Sequence, residues 1–124
     1  MQENPFYDGL KKKLHKFIVQ VYTITKQFPK EEQYSSVSQL RRAALSIMLN
    51  YVEGYGRRRP KVKLNFFEIS YGSVRECKYL IYLSYELHWI EKNTYDMLFS
   101  LLDEIGAMIW SMIQGIEKNN SDVI

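Results

Sequence analysis

One cysteine, two histidines and three prolines among 124 residues close off several classes of protein at once. Cys77 has no partner for an internal disulfide, so the chain is no disulfide-stapled secreted domain and suits a reducing compartment. His15 and His88 stand apart, with no cysteine or carboxylate at metal-ligand spacing on the same face, and no metal site or cofactor is expected. Long apolar runs are also missing. The most apolar stretch, YLIYLSYELHWI at 79–90, is broken by Glu86 and His88 and falls short of the roughly 18 residues of a membrane span. The opening residues MQENPFYDGL contain no apolar leader. These absences predict a soluble, cytoplasmic protein with no membrane contact.

Glycine and proline are too few for a loop-rich fold, and no alternating strand pattern persists beyond a few residues, so an all-α fold is expected. A hydrophobic share of 46% in a chain of this length is enough for one domain with its own core. The first helix should cover 6–27, with Leu10, Leu14, Phe17, Ile18 and Val21 on its inner stripe and Lys11, Lys12, Lys13 and Lys16 mostly off it. Phe28-Pro29 stops it, because a residue before proline is pushed out of the α region. The second helix should cover 36–54, started by Ser35 or Ser36 as N-cap and ended near Gly54 or Gly56 in the left-handed conformation glycine tolerates. Pro60 suits the first position of a third helix over 60–89. Its inner stripe reads Phe66, Ile69, Ser73, Cys77, Leu80, Leu83, Ser84 and Leu87, with Gly72 expected where another backbone packs close. A fourth helix over 94–118 completes an antiparallel up-down four-helix bundle in a single domain, 1–124.

The stretch 38–59, SQLRRAALSIMLNYVEGYGRRR, organises the rest. Gln39, Arg42, Ser46, Asn50, Glu53 and Arg57 form one polar file, and Leu40, Ala44, Leu45, Ile47, Met48, Leu49, Tyr51 and Val52 fill the opposite arc. Arg41 is misplaced within that arc. Glu76 is the matching anomaly on the third helix. In an antiparallel hairpin turning near residues 58 and 59, residues at equal height sum to about 117, as 41 and 76 do. A buried or half-buried Arg41–Glu76 salt bridge with a structural role is therefore expected. The alternatives for Arg41 are a route past Met48 to solvent or a partner on a neighbouring subunit.

Charge is divided unevenly. Residues 1–65 carry 13 Lys and Arg against 5 Asp and Glu, and residues 66–124 carry 4 against 9, for a net charge of +3. Such a split fits either a nucleic-acid-facing side or complementarity between halves or subunits. The densest positive run is Arg57, Arg58, Arg59, Lys61 and Lys63, a candidate phosphate-binding patch for RNA or DNA whose bland alternative is a solvated turn. Tyr71, Tyr82, Tyr85 and Trp89 make a second, aromatic stripe on the third helix and, with the wide arc of the second, suggest a homo-oligomer interface. Chemistry has no such candidate. Cys77 falls on an inner stripe, Gly54-Tyr55-Gly56 follows a helix rather than a strand, and no acid, base and nucleophile converge, so no enzyme is expected.

Phe28-Pro29, Ser38-Gln39-Leu40-Arg41-Arg42-Ala43-Ala44, Ser46-Ile47, Asn50, Glu53-Gly54 and Gly56-Arg57 resemble the core pattern of the bacterial four-helix-bundle family named for intervening sequences of large-subunit ribosomal RNA genes. Phe67, Gly72-Ser73 and Glu76 match its second block, and Glu104-Ile105-Gly106 its third. Met48-Leu49 and Tyr51-Val52 depart from it, where smaller residues or a proline are usual. The resemblance implies a homopentameric ring. It also implies a relationship to the accessory variability protein of diversity-generating retroelements, which partners a reverse transcriptase and nucleic acid. Two functions are thus expected to compete: a non-enzymatic nucleic-acid-binding ring, and a scaffold that contacts only proteins.

Overall fold

The computed structural model describes residues 4–119, and these form four helices with no strand among them: α1 (Pro5–Thr25), α2 (Ser38–Tyr55), α3 (Pro60–Glu86) and α4 (Lys92–Asn119). Cross-helix contacts set the direction of each. Tyr51 meets Tyr7 while Arg41 meets Thr25, so α2 returns along α1. Ser70 lies against Ile47, Ser73 against Ser46 and Glu76 against Arg42, so α3 returns along α2. Tyr71 touches Trp110 and Tyr85 touches Tyr95, which reverses α4, and Lys13 pairs with Glu104 to close α4 onto α1. This is an antiparallel up-down four-helix bundle.

Local chemistry accounts for the ends. Asn4 caps α1 by accepting from the Tyr7 N–H at 3.1 Å, with Pro5 at the first helical position. After α1 the chain passes Phe28-Pro29, makes one turn of 3-10 helix (Lys30–Glu32) and one wide π turn (Gln33–Val37), and runs unbroken into α2. The second helical segment thus begins ahead of the serines expected to cap it. Those serines, Ser35 and Ser36, instead donate to the Glu32 carboxylate at 2.9 and 2.7 Å and hold its pKa below the ordinary value. α3 ends at Glu86, earlier than its apolar pattern suggests. The Trp89 N–H bonds to the Ser84 carbonyl at 2.9 Å and the His88 N–H to Tyr85 at 3.0 Å, with His88 at φ 63° in the left-handed position usually taken by glycine.

The core keeps Ser73, Cys77 and Ser84 from the inner stripe read for α3 and shifts the rest of the line. Its buried line runs Phe67, Ser70, Val74, Cys77, Ile81 and Ser84, alternating steps of three and four, while Ile69 and Leu87 are 45% and 48% exposed. α2 buries Leu40, Ala44, Ile47, Tyr51 and Gly54 with the same alternation. A repeat of 3.5 residues keeps two helices in register at a shallow crossing angle, the packing of a left-handed bundle. Serine occupies inner positions because it is small and finds acceptors. The Ser70 hydroxyl donates to the Ile47 carbonyl at 2.7 Å and that of Ser84 to Leu80 at 2.7 Å, which offsets the cost of burying them. Close packing falls on Gly54 rather than Gly72. A Cβ at Gly54 would lie 2.7 Å from the Phe67 ring, whereas one at Gly72 would meet nothing within 4 Å.

Candidate nucleic-acid interface

The turn between α2 and α3 is short because both helices are closed tightly around it. Gly56 and Arg57 donate back to Val52 and Gly54 at 3.2 and 3.1 Å. Gly56 does this at φ −77°, so α2 ends without the left-handed glycine expected of it. α2 has no basic residue in its last turn, and its final carbonyls are met from outside: Lys63 Nζ donates to Gly54 and Tyr55 at 3.2 and 2.9 Å and lies 5.5 Å from the Tyr55 ring centre. Burial holds its pKa below the usual lysine value.

The five cations of the basic run therefore divide. Lys63 is spent on α2. Arg57 pairs with the Glu53 carboxylate and lies 5.2 Å from the Phe66 ring centre. Arg58, Arg59 and Lys61 are exposed, and no ion pair or hydrogen bond holds their side chains among the described residues. They surround the start of α3, whose first turn has no acidic residue and no side-chain cap. The Arg59 carbonyl accepts from Val62 and Lys63 at 3.1 and 2.9 Å, and Pro60 contributes no N–H. The partial positive charge of the helix end thus adds to three free cations.

Beside this turn stands a column absent from the sequence reading. Lys11 Nζ lies 4.9 Å from the Tyr7 ring centre, Tyr7 stacks on Tyr55 at 3.7 Å, and Lys63 covers Tyr55. Asn4 donates to the Tyr55 hydroxyl at 3.2 Å, tying the start of α1 to the end of α2. The four-residue step from Tyr51 to Tyr55, facing Tyr7 across an antiparallel hairpin, is the signal that could have found it.

The Arg41–Glu76 salt bridge does not form. Arg41 turns to α1, where Nε donates to the Thr25 hydroxyl at 2.9 Å, Nη2 to the Tyr22 carbonyl at 3.4 Å, and the guanidinium lies 4.6 Å from the Tyr22 ring centre. Glu76 pairs with Arg42 at 3.4 Å on the exposed side. The height estimate lands one residue away. The rotation was wrong, because Glu76 lies one step off the buried line of α3, on the side of the polar file of α2. That file makes its own small network, with Asn50 donating to the Ser46 carbonyl and hydroxyl at 2.9 and 3.0 Å and Ser73 bonded to Ser46 at 2.7 Å.

The aromatic stripe offered as an interface has partners inside the chain. Tyr71 packs on Trp110 at 5.1 Å, Tyr85 on Tyr95 at 4.8 Å and Trp89 on Phe28 at 5.2 Å, while Tyr82 remains 45% exposed beside Tyr95. Exposed apolar surface also lies elsewhere, on the outer face of α2 at Leu45, Leu49 and Val52. Cys77 is buried, which pushes its thiol pKa well up. No helix among the described residues is long and apolar enough to cross a membrane, and no group of three candidate metal ligands occurs among them.

No curated protein matches the chain. Among solved structures, a protein of unknown function from the S23 ribosomal protein family of Bacteroides thetaiotaomicron VPI-5482 superposes with a TM-score of 0.77. At 21% identity over 84% of this chain and 97% of that one, the likeness shows a shared fold. Residues 10–111 match the family described as 23S rRNA-intervening sequence protein, a span from the first core residue of α1 to beyond the middle of α4, and the chain belongs to that family.

Proposed function

We propose that the protein is a non-enzymatic homo-oligomer that binds the phosphate backbone of RNA or DNA through the turn bearing Arg58, Arg59 and Lys61. The observation that carries this reading is three exposed cations without carboxylate partners around the uncapped start of α3. Arrayed around a homopentameric ring, such turns would make repeated, sequence-independent phosphate contacts. The exposed apolar residues of α2 and the uneven charge of the two halves of the chain favour self-association. An accessory role beside a reverse transcriptase follows from the family resemblance and would use the same basic surface.

Anisotropy titrations of short RNA and DNA at two salt concentrations test the binding. Replacing Arg58, Arg59 and Lys61 with glutamine should flatten the slope of log affinity against log salt by about 2–3 per engaged protomer. Tight binding that ignores these substitutions places the interface elsewhere. Native mass spectrometry should show five copies, and a monomer at micromolar concentration rules the ring out. The second reading, a scaffold that contacts only proteins, is favoured by Leu49, an apolar side chain 63% exposed on α2. An intact oligomer with no nucleic-acid binding at low salt would select it.

A further inference from the structure

Arg41 is a half-buried cation with no carboxylate partner among the described residues. Two of its five N–H groups are engaged, one by Thr25 and one by Tyr22. The Thr25 hydroxyl donates in turn to the Val21 carbonyl at 2.7 Å, which fixes it as the acceptor for Nε and locks one edge of the guanidinium. The other edge keeps donors to spare.

Arg41 borders a cavity of about 220 Å³ at the end of the bundle opposite the basic turn. Its lining includes Arg41, Lys26, Lys30 and Gln33, closed by Phe28 and Val37, and no acidic residue is among the lining side chains. Glu31 and Glu32 belong to the same turn but do not line the cavity, and the Glu32 carboxylate accepts from Ser35 and Ser36. The volume is several times the ~30 Å³ share of one water, room enough for a small hydrated anion. The end of α1 contributes a partial negative charge of about half a unit, which three cations outweigh.

We propose that this pocket binds a phosphate monoester group, with the free edge of the Arg41 guanidinium making a two-point contact and Lys26 and Lys30 supplying the balancing charge. Arginine presents a rigid fork that matches two oxygens of a phosphate, and lysine supplies a mobile point charge. Three cations match a dianion better than a monoanion, so a phosphate monoester is preferred over a carboxylate or a phosphodiester. The site is separate from the basic turn and does not depend on it.

The test is a titration of the full-length ¹⁵N-labelled chain with inorganic phosphate at low ionic strength, following the Nε–Hε resonance of Arg41, assigned by its loss in Arg41→Lys. A saturable shift with a dissociation constant of about 1 mM or tighter is expected, with acetate at matched ionic strength leaving the resonance in place. Lys26→Gln with Lys30→Gln alters only exposed positions and should weaken phosphate binding roughly tenfold, while Arg58→Gln, Arg59→Gln and Lys61→Gln should not change it. No saturable shift, an equal response to acetate, or indifference to loss of both lysines would overturn the proposal. Competition by oligonucleotides names the source. Displacement by a 5′-phosphorylated strand but not by its 5′-hydroxyl twin assigns the site to strand ends; displacement by neither assigns it to free phosphate or a nucleotide.

Discussion

The C-termini of α1 and α2 pose the same problem and solve it differently. Neither helix carries a basic residue in its last turn, and each is closed by a cation sent from the following helix, Arg41 to α1 and Lys63 to α2. Lys63 reaches two carbonyls with a single ammonium, so two of its three donors are committed to the helix it caps. Arg41 bonds a hydroxyl and a carbonyl along one edge and stacks its face near Tyr22, leaving the far edge available. A planar five-donor group can cap a helix and still present donors elsewhere. The difference separates a cation lost to structure from one that is structural and still reactive toward anions.

That contrast can be broken at either end. Arg41→Met should cost about 2–3 kcal/mol in denaturant unfolding, since it removes two charge-assisted bonds and the contact with Tyr22. Arg41→Lys should lose less, and a cost under about 0.5 kcal/mol for Arg41→Met would show that the end of α1 needs no cation. Gly54→Ala should destabilise by about 2 kcal/mol, because its Cβ would press on the buried Phe67 ring and push apart the helices that let Lys63 reach over. Lys63→Met should cost about 1 kcal/mol and leave the salt dependence of nucleic-acid binding unchanged; a flattened slope would return Lys63 to the binding surface.

The smallest effect concerns pH. Hydrogen bonds from Ser36 and Ser35 lower the pKa of Glu32 in the folded chain, so the folded state favours the carboxylate. The stabilisation is present above the ordinary glutamate pKa and is lost as pH falls through the lowered folded value. Unfolding titrations across the acid range should show this loss in the native chain and not in Glu32→Gln. Identical acid profiles would mean that the turn joining α1 to α2 does not depend on the charge.

The start of α3 was legible because proline acts locally, and Pro60 begins it at the residue read for it. The rotation of α3 was not. Ser73, Cys77 and Ser84 were read on the inner side, but apolar and aromatic residues flank the buried line and Ser70 sits on it, so hydrophobicity alone drew in Ile69 and Leu87. One of the two partners of Arg41, the Tyr22 carbonyl, was hidden for a deeper reason. A main-chain carbonyl belongs to every residue type and leaves no mark in the sequence, whereas Glu76 advertised itself. At the basic run the same blindness acted on Lys63, whose acceptors are also carbonyls. Arg58, Arg59 and Lys61 are exposed and have no ion pair or hydrogen bond among the described residues.

The brevity of the link between α2 and α3 bears on the order in which the chain assembles. Four residues, 56–59, separate the two helices, whereas twelve, 26–37, separate α1 from α2. Closing the shorter loop sacrifices less chain entropy, and the contacts it brings together are near neighbours in sequence. The α2–α3 hairpin is therefore expected to form before α1 docks across its longer link, whereas the five-residue link 87–91 that joins α3 to α4 is nearly as short. Substitutions at Ile47 and Phe67 should slow folding, and those at Leu14 should chiefly hasten unfolding. The turn proposed to contact phosphate would then take shape before α1 docks.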